Sequence, residues 1–289
     1  MKKKMIAAFG ISGALLISSV YSISANTSGY ELYKDALKNT HQLESTTMNM
    51  SLVLDNNNKE IYRMDSIVKT NRLEDSLGME GTVSNGLEEM TYEMTKQDGE
   101  YLVRKENDKK VYVMESNGSN HGAGLDGDEG KELRNDLENL VDLLTKNYQQ
   151  KITVEGNEDG TQRIDLELSS SELPIAMNAV TSLMYKHGVM LDDRADDSEA
   201  SFHSVKPELP KLKKDILIED IKISAKVSEG NYIEEQFVTA IFSGKDASGT
   251  SKKLQFSFKL ELTNANETIV SPMDVTGLEL VEFQHGHGK

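Results

Sequence analysis

In Thr46–Met114, TTMNMSLVLDNNNKEIYRMDSIVKTNRLEDSLGMEGTVSNGLEEMTYEMTKQDGEYLVRKENDKKVYVM, apolar residues recur at every second position between short polar turns. Met48, Met50, Leu52 and Leu54 alternate with Thr47, Asn49, Ser51 and Val53. Tyr62, Met64 and Val68 keep that phase, and Leu73, Leu77, Met79 and Val83 follow at even spacing. Met90, Tyr92 and Met94 come next, then Tyr101 and Val103, then Tyr112 and Met114. Side chains two apart on a strand point to the same face, so this period predicts a run of strands with one apolar face rich in thioethers and phenols.

The joints carry turn chemistry. Asp55-Asn56-Asn57-Asn58, Asn85-Gly86, Asp98-Gly99 and Asn107-Asp108 supply residues that tolerate positive φ or hydrogen-bond their own backbone. Short turns predict an antiparallel meander of neighbouring strands.

Upstream of the meander, residues 29–43 predict a helix, with Tyr30, Tyr33, Ala36, Leu37 and His41 at helical spacing and Ser28 as its cap. Downstream, Leu133, Leu137, Leu140, Val141, Leu144 and Tyr148 form a stripe that predicts an amphipathic helix over 131–148. A hairpin is predicted at 151–155 and 162–168, turned at Asp159-Gly160. A second striped helix is predicted over 171–187, with Leu173, Met177, Val180, Leu183 and Met184 on one side and Gly188 as its stop. Residues 189–215 lack periodicity and read as a mobile acidic loop carrying Asp192, Asp193, Asp196, Asp197 and Glu199, where a weak cation site is the alternative. Three strands then close the chain, the last of them Leu254, Phe256, Phe258, Leu260 and Leu262, and 268–283 is read as an added edge segment.

These elements predict an α+β fold in which a long curved antiparallel β-sheet, a half-barrel, wraps the amphipathic helices. Residues 26–289 are expected to form one domain. Residues 1–25 read as a signal peptide: Lys2, Lys3 and Lys4 precede the apolar Met5–Val20, and Ser22, Ser24 and Ala25 offer a cleavage site. An uncleaved anchor is the alternative. The expected location is extracellular or in the cell envelope, with no span left after cleavage.

Function classes narrow on composition. The 289 residues carry a net charge of −16 and no cysteine, and loss of the leader's three lysines takes the charge to −19. Such a surface is expected to repel nucleic acid and anionic membranes. Zinc–thiolate sites, cysteine nucleophiles and lipidated cysteines are excluded. No Gly-x-Ser-x-Gly or His-Glu-x-x-His occurs, and the histidines are scattered, so no enzyme and no cofactor are expected.

The order of elements, with face composition such as Met48-Asn49-Met50 and Met90-Thr91-Tyr92-Glu93-Met94, resembles the LolA/LppX-like envelope proteins. The resemblance implies a half-open barrel around helices that shelters a lipid or acyl chains. Many relatives carry a lipidated cysteine, and this chain has none.

The reading that joins these points is a secreted or envelope binding protein carrying or sensing an apolar, lipid-like ligand. Its candidate ligand-binding residues are Met48, Met50, Leu52, Tyr62, Met64, Met79, Met90, Tyr92, Met94, Tyr101, Tyr112 and Met114. Flexible thioethers adapt to irregular acyl chains. The alternative is a structural or protein-interaction module of the envelope, in which the same residues are a filled core and the partner is a protein.

Overall fold

The computed structural model describes residues 29–115, 148–173, 205 and 207–282. Among them the chain forms one helix of several turns, α1 (Gly29–Gln42), and twelve strands in one sheet. The meander gives β1 (Ser45–Asn56), β2 (Lys59–Asn71), β3 (Ser76–Ser84), β4 (Glu89–Gln97), β5 (Glu100–Lys105) and β6 (Lys110–Glu115). Then come β7 (Thr153–Gly156), β8 (Gln162–Ser169), β9 (Lys214–Val227), β10 (Ile233–Lys245), β11 (Ser251–Thr263) and β12 (Glu279–Glu282). The strand order is β12-β6-β5-β4-β3-β2-β1-β11-β10-β9-β8-β7.

The turns are made as their residues dictate. Asn57 and Asn58 both take positive φ (51° and 62°), as do Asp98 and Gly99 (54° and 78°). Two successive left-handed residues match the right-handed twist of the flanking strands and close a tight hairpin. Asn85 Oδ1 accepts the backbone N–H of Glu88 at 2.8 Å, an Asx-type closure of the β3–β4 turn.

The two strand-rich halves of the chain meet at β1. It pairs with β11 without a register break from Thr47↔Thr263 to Asn56↔Leu254, and on its other side with β2. The meander and the C-terminal strands are therefore one continuous layer. This overturns the expected architecture. The described residues form a single large mixed sheet with one short helix, not an antiparallel half-barrel wrapping amphipathic helices. The stripes at 131–147 and 174–187, on which that expectation rested, lie outside the described residues. Tyr148 opens a short 3₁₀ turn (Gln149–Lys151), and Ser171–Leu173 lie in a turn rather than in the first turn of a helix.

Helix α1 lies across one end of the apolar face. Ala36 and Leu37 pack against Ile164, Ala225, Val227 and Ile233 from β8, β9 and β10. Thr40 Oγ1 donates to the Ala36 carbonyl at 2.7 Å and accepts the Ile233 N–H at 2.8 Å, tying the helix end to the start of β10. Leu73 departs from the expected phase: it lies in the β2–β3 turn and is 76% exposed.

The opposite, polar face carries a strap. After β11, Asn266 donates its N–H to the Ser45 carbonyl at 2.7 Å, and Thr268 bonds Ser45 Oγ and Thr47 Oγ1. The chain runs on past Gly78, donates the Met273 N–H to Gln97 Oε1 at 2.9 Å, and buries Met273 against Leu102 and Val111. It ends as β12, which pairs with β6 in parallel, the only parallel pair among the described strands. β6 and β12 run in the same sense as β11, so between Thr263 and Glu279 the chain returns to the end of the sheet at which β11 began. The terminal strands β7 and β12 are four residues long and carry Glu155, Glu279 and Glu282, which blunts both edges against further pairing.

Candidate functional site

Directly opposed residues of neighbouring strands share a face, so the register fixes which side chains stand together. Met48 opposes Val68, Leu52 opposes Met64, and Leu54 opposes Tyr62. Across β3 and β4, Val68 opposes Met79, Met79 opposes Met94, and Val83 opposes Met90. Gly81 opposes Tyr92, Lys96 opposes Tyr101, Val103 opposes Tyr112, and Tyr101 opposes Met114. All twelve candidate residues thus stand on one face of the sheet.

They are not one cluster. Leu52, Tyr62, Val83, Tyr92 and Val205 form a buried group, with Met64, Met79, Met90, Phe256 and Phe258 packed around it. Met48, Met50 and Met94, with Tyr101 and Met114, are half-buried beside that group. Tyr112 is buried on the far side, at β6. Phe256, Phe258 and Val83 were absent from the sequence candidates. The alternation of β11 was legible, but its place beside β1 was not. Val205 carries no periodic signal at all.

Tyr62 and Tyr92 are buried phenols at the centre of the face. Burial pushes the Tyr62 hydroxyl up to about 12, with a further contribution from neighbouring Tyr92. Burial pushes Tyr92 to about 12 as well. The ionised phenolate loses its hydration inside the protein, so the neutral form is favoured. Tyr92 lies over Gly81: a Cβ there would come within 2.8 Å of the Tyr92 hydroxyl and 2.9 Å of the Asp65 carbonyl. Only a residue without a Cβ lets the ring lie that close to the strand. Toward the other end of the face, Gln236 donates from Nε2 to the Tyr33 hydroxyl, and burial raises the Tyr33 pKa.

The described residues of this face are apolar side chains and phenols in the main. Among the described residues no three His, Cys, Asp or Glu converge on a point where a metal could sit. His41 stands near the end of α1, its pKa lowered by burial and by the Arg72 charge. The acidic run at 192–199, His121 and His187 lie outside the described residues. Two shallow polar grooves lie at strand ends, away from the Met/Tyr face. One, of about 330 Å³, sits at the turns before β3 and β5 under Val270 and Pro272. The other, of about 290 Å³, lies between β9, β10 and β11. No described helix is long and apolar enough to cross a membrane.

No family model matches the chain, and no curated protein does. Among solved structures it is similar to the ywiB protein of Bacillus subtilis, at 6% identity and a TM-score of 0.15, covering 76% of this chain and 92% of that one. A likeness at that score carries no argument, and no link to the LolA/LppX-like proteins is found. What stands is a sheet-rich fold without cysteine.

Proposed function

We propose that this chain is an exported, non-enzymatic binding protein of the cell envelope, and that its Met/Tyr face takes an apolar, lipid-like ligand. One observation carries the reading: the register gathers every candidate methionine and tyrosine of β1–β6 onto one side of one sheet. Thioethers are soft and adaptable, and surfaces rich in them accept ligands of irregular shape. Burial divides the work. Leu52, Tyr62 and Tyr92 are less than a tenth exposed and form the floor, whereas Met48, Met50, Met64, Met79 and Met94 keep partial exposure and form the contact layer. Export rests on the leader composition, Lys2–Lys4 followed by the apolar Met5–Val20.

A second reading has its own support. Val205 already packs on Leu52, Tyr62, Val83 and Tyr92, as expected of a filled core in an envelope interaction module that binds a protein. Titration with a fluorescent long-chain fatty acid, together with native mass spectrometry of the purified protein, separates the two. Saturable uptake with a co-purifying lipid supports the ligand reading. Absence of both rejects it in favour of the filled core.

A further inference from the structure

The net charge hides a positive end. At the sheet end where β9 begins and β10 turns into β11, the backbone brings together Lys211, Lys213, Lys214, Lys245, Lys252 and Lys253. Lys245 opposes Lys214 across β10–β9 and Ser251 across β10–β11, while Gly244 opposes Lys252 and Ser243 opposes Lys253. Lys213 joins them by donating its N–H to the Lys245 carbonyl at 2.8 Å. Asp215 holds Lys245 at 2.7 Å, Glu219 holds Lys253 at 3.1 Å, and Asp246 lies 3.9 Å from Lys252. Lys211, Lys213 and Lys214 are exposed and make no ion pair with a described residue. Glu208 is the nearest exposed acid along the chain before them.

Lys214 stands directly opposite Lys245, a like-charge placement that is unfavourable by itself and that Asp215 offsets by pairing with Lys245. The screening length in physiological salt is roughly 8 Å, so a partner touching this end senses its local balance, these lysines against Glu208, Asp215, Glu219 and Asp246, more than the carboxylates elsewhere on the protein. The groove of about 290 Å³ opens among them, lined by Lys245, Lys252 and Lys253 together with the carboxylates of Asp215 and Glu219.

We propose that this lysine end docks the protein on an anionic phospholipid surface. Neighbouring strands are roughly 4.8 Å apart, so charges at the ends of β9, β10 and β11 form a row that suits a plane of headgroups better than a deep pocket. Clustered lysines near such a surface each add attraction that falls away within a screening length. The inference rests on export, which sets the protein beside the membrane it crossed. It is indifferent to whether the Met/Tyr face holds a ligand.

The test is vesicle flotation with the chain starting at Asn26, since every described element lies after that point and the basic leader would bind by itself. Vesicles of phosphatidylglycerol mixed with phosphatidylcholine are compared with phosphatidylcholine alone. Binding to the anionic vesicles only, weakening as salt rises, is expected. Lys213→Glu with Lys214→Glu should weaken it at least tenfold, while Lys38→Glu with Lys109→Glu, the same change in net charge elsewhere, should weaken it less than threefold. Far-UV circular dichroism checks that both variants stay folded. No binding to anionic vesicles at low salt, equal loss in both variants, or binding to soluble polyphosphate without vesicle binding would each overturn the proposal.

Discussion

Gly81→Ala tests the packing of the Met/Tyr face at its tightest point. The added methyl would meet the Tyr92 hydroxyl at 2.8 Å, its Cζ at 2.9 Å and the Asp65 carbonyl at 2.9 Å. Real Cβ atoms do not approach other heavy atoms so closely, so either the ring or the β2–β3 pairing must move. Tyr92 is 6% exposed and held among Leu52, Tyr62 and Val83, which leaves the ring little room. Overpacking of this kind costs about 1–3 kcal/mol. For a chain of this size that lowers Tm by roughly 2–4 °C per kcal/mol, so a fall of several degrees is expected by circular dichroism or calorimetry. Gly86→Ala is the matched control: its φ is +80° but its Cβ would meet nothing within 4 Å, so its cost is backbone strain alone. Tyr92→Ala clears the ring, and in that background Gly81→Ala should cost about 1 kcal/mol less, the non-additivity expected of residues in contact. An unchanged Tm for Gly81→Ala, or strict additivity with Tyr92→Ala, would refute the stacked arrangement.

Ultraviolet titration should find Tyr62 and Tyr92 ionising only near pH 12, with Tyr33 held back as well. Their folded pKa values lie above the unfolded value of 10.0, so the stability they confer is complete below pH 10 and is lost as pH rises toward 12. Tyr62→Phe with Tyr92→Phe should flatten that alkaline loss, as followed by urea unfolding between pH 9 and 12. Met273→Ala should cost about 2–5 kcal/mol, because Met273 is buried against Leu102 and Val111 where the strap crosses the sheet. Faster amide hydrogen exchange in β12 and on the outer edge of β6 would accompany it. Arg104→Ala should cost no more than about 1 kcal/mol, since its 2.6 Å pair with Glu93 is partly exposed to water.

The local elements were largely legible. Strict period-two alternation fixed the strands β1–β6 and β11, and Asn, Asp and Gly marked their turns, because both signals arise within a few residues. The identity of the apolar face was legible for the same reason: once a strand is granted, its phase decides its side. What could not be read was pairing across long separations. Nothing local in Leu254–Leu262 says that it lies against Met48–Leu54, and the half-barrel expectation failed at that junction. The parallel β12 was equally hidden, since its four residues carry no signal of which strand they lie beside or in which direction. Leu73 was misassigned because the even spacing of Leu77, Met79 and Val83 was extended back to it, into a turn that breaks the period. Lys214 and Asp215 begin β9 inside what reads as an acidic loop, where adjacent charges mask the alternation that starts at Ile216.

The central claim is that one face of the sheet, and not the other, receives an apolar ligand. Methyl-labelled methionine spectra recorded during titration with a long-chain fatty acid address it directly, because the chain carries its own control. The account predicts saturable shifts at Met48, Met50, Met64, Met79 and Met94, and none at Met273, which is buried on the opposite face. Unshifted face methionines, or a Met273 that shifts with them, would contradict it.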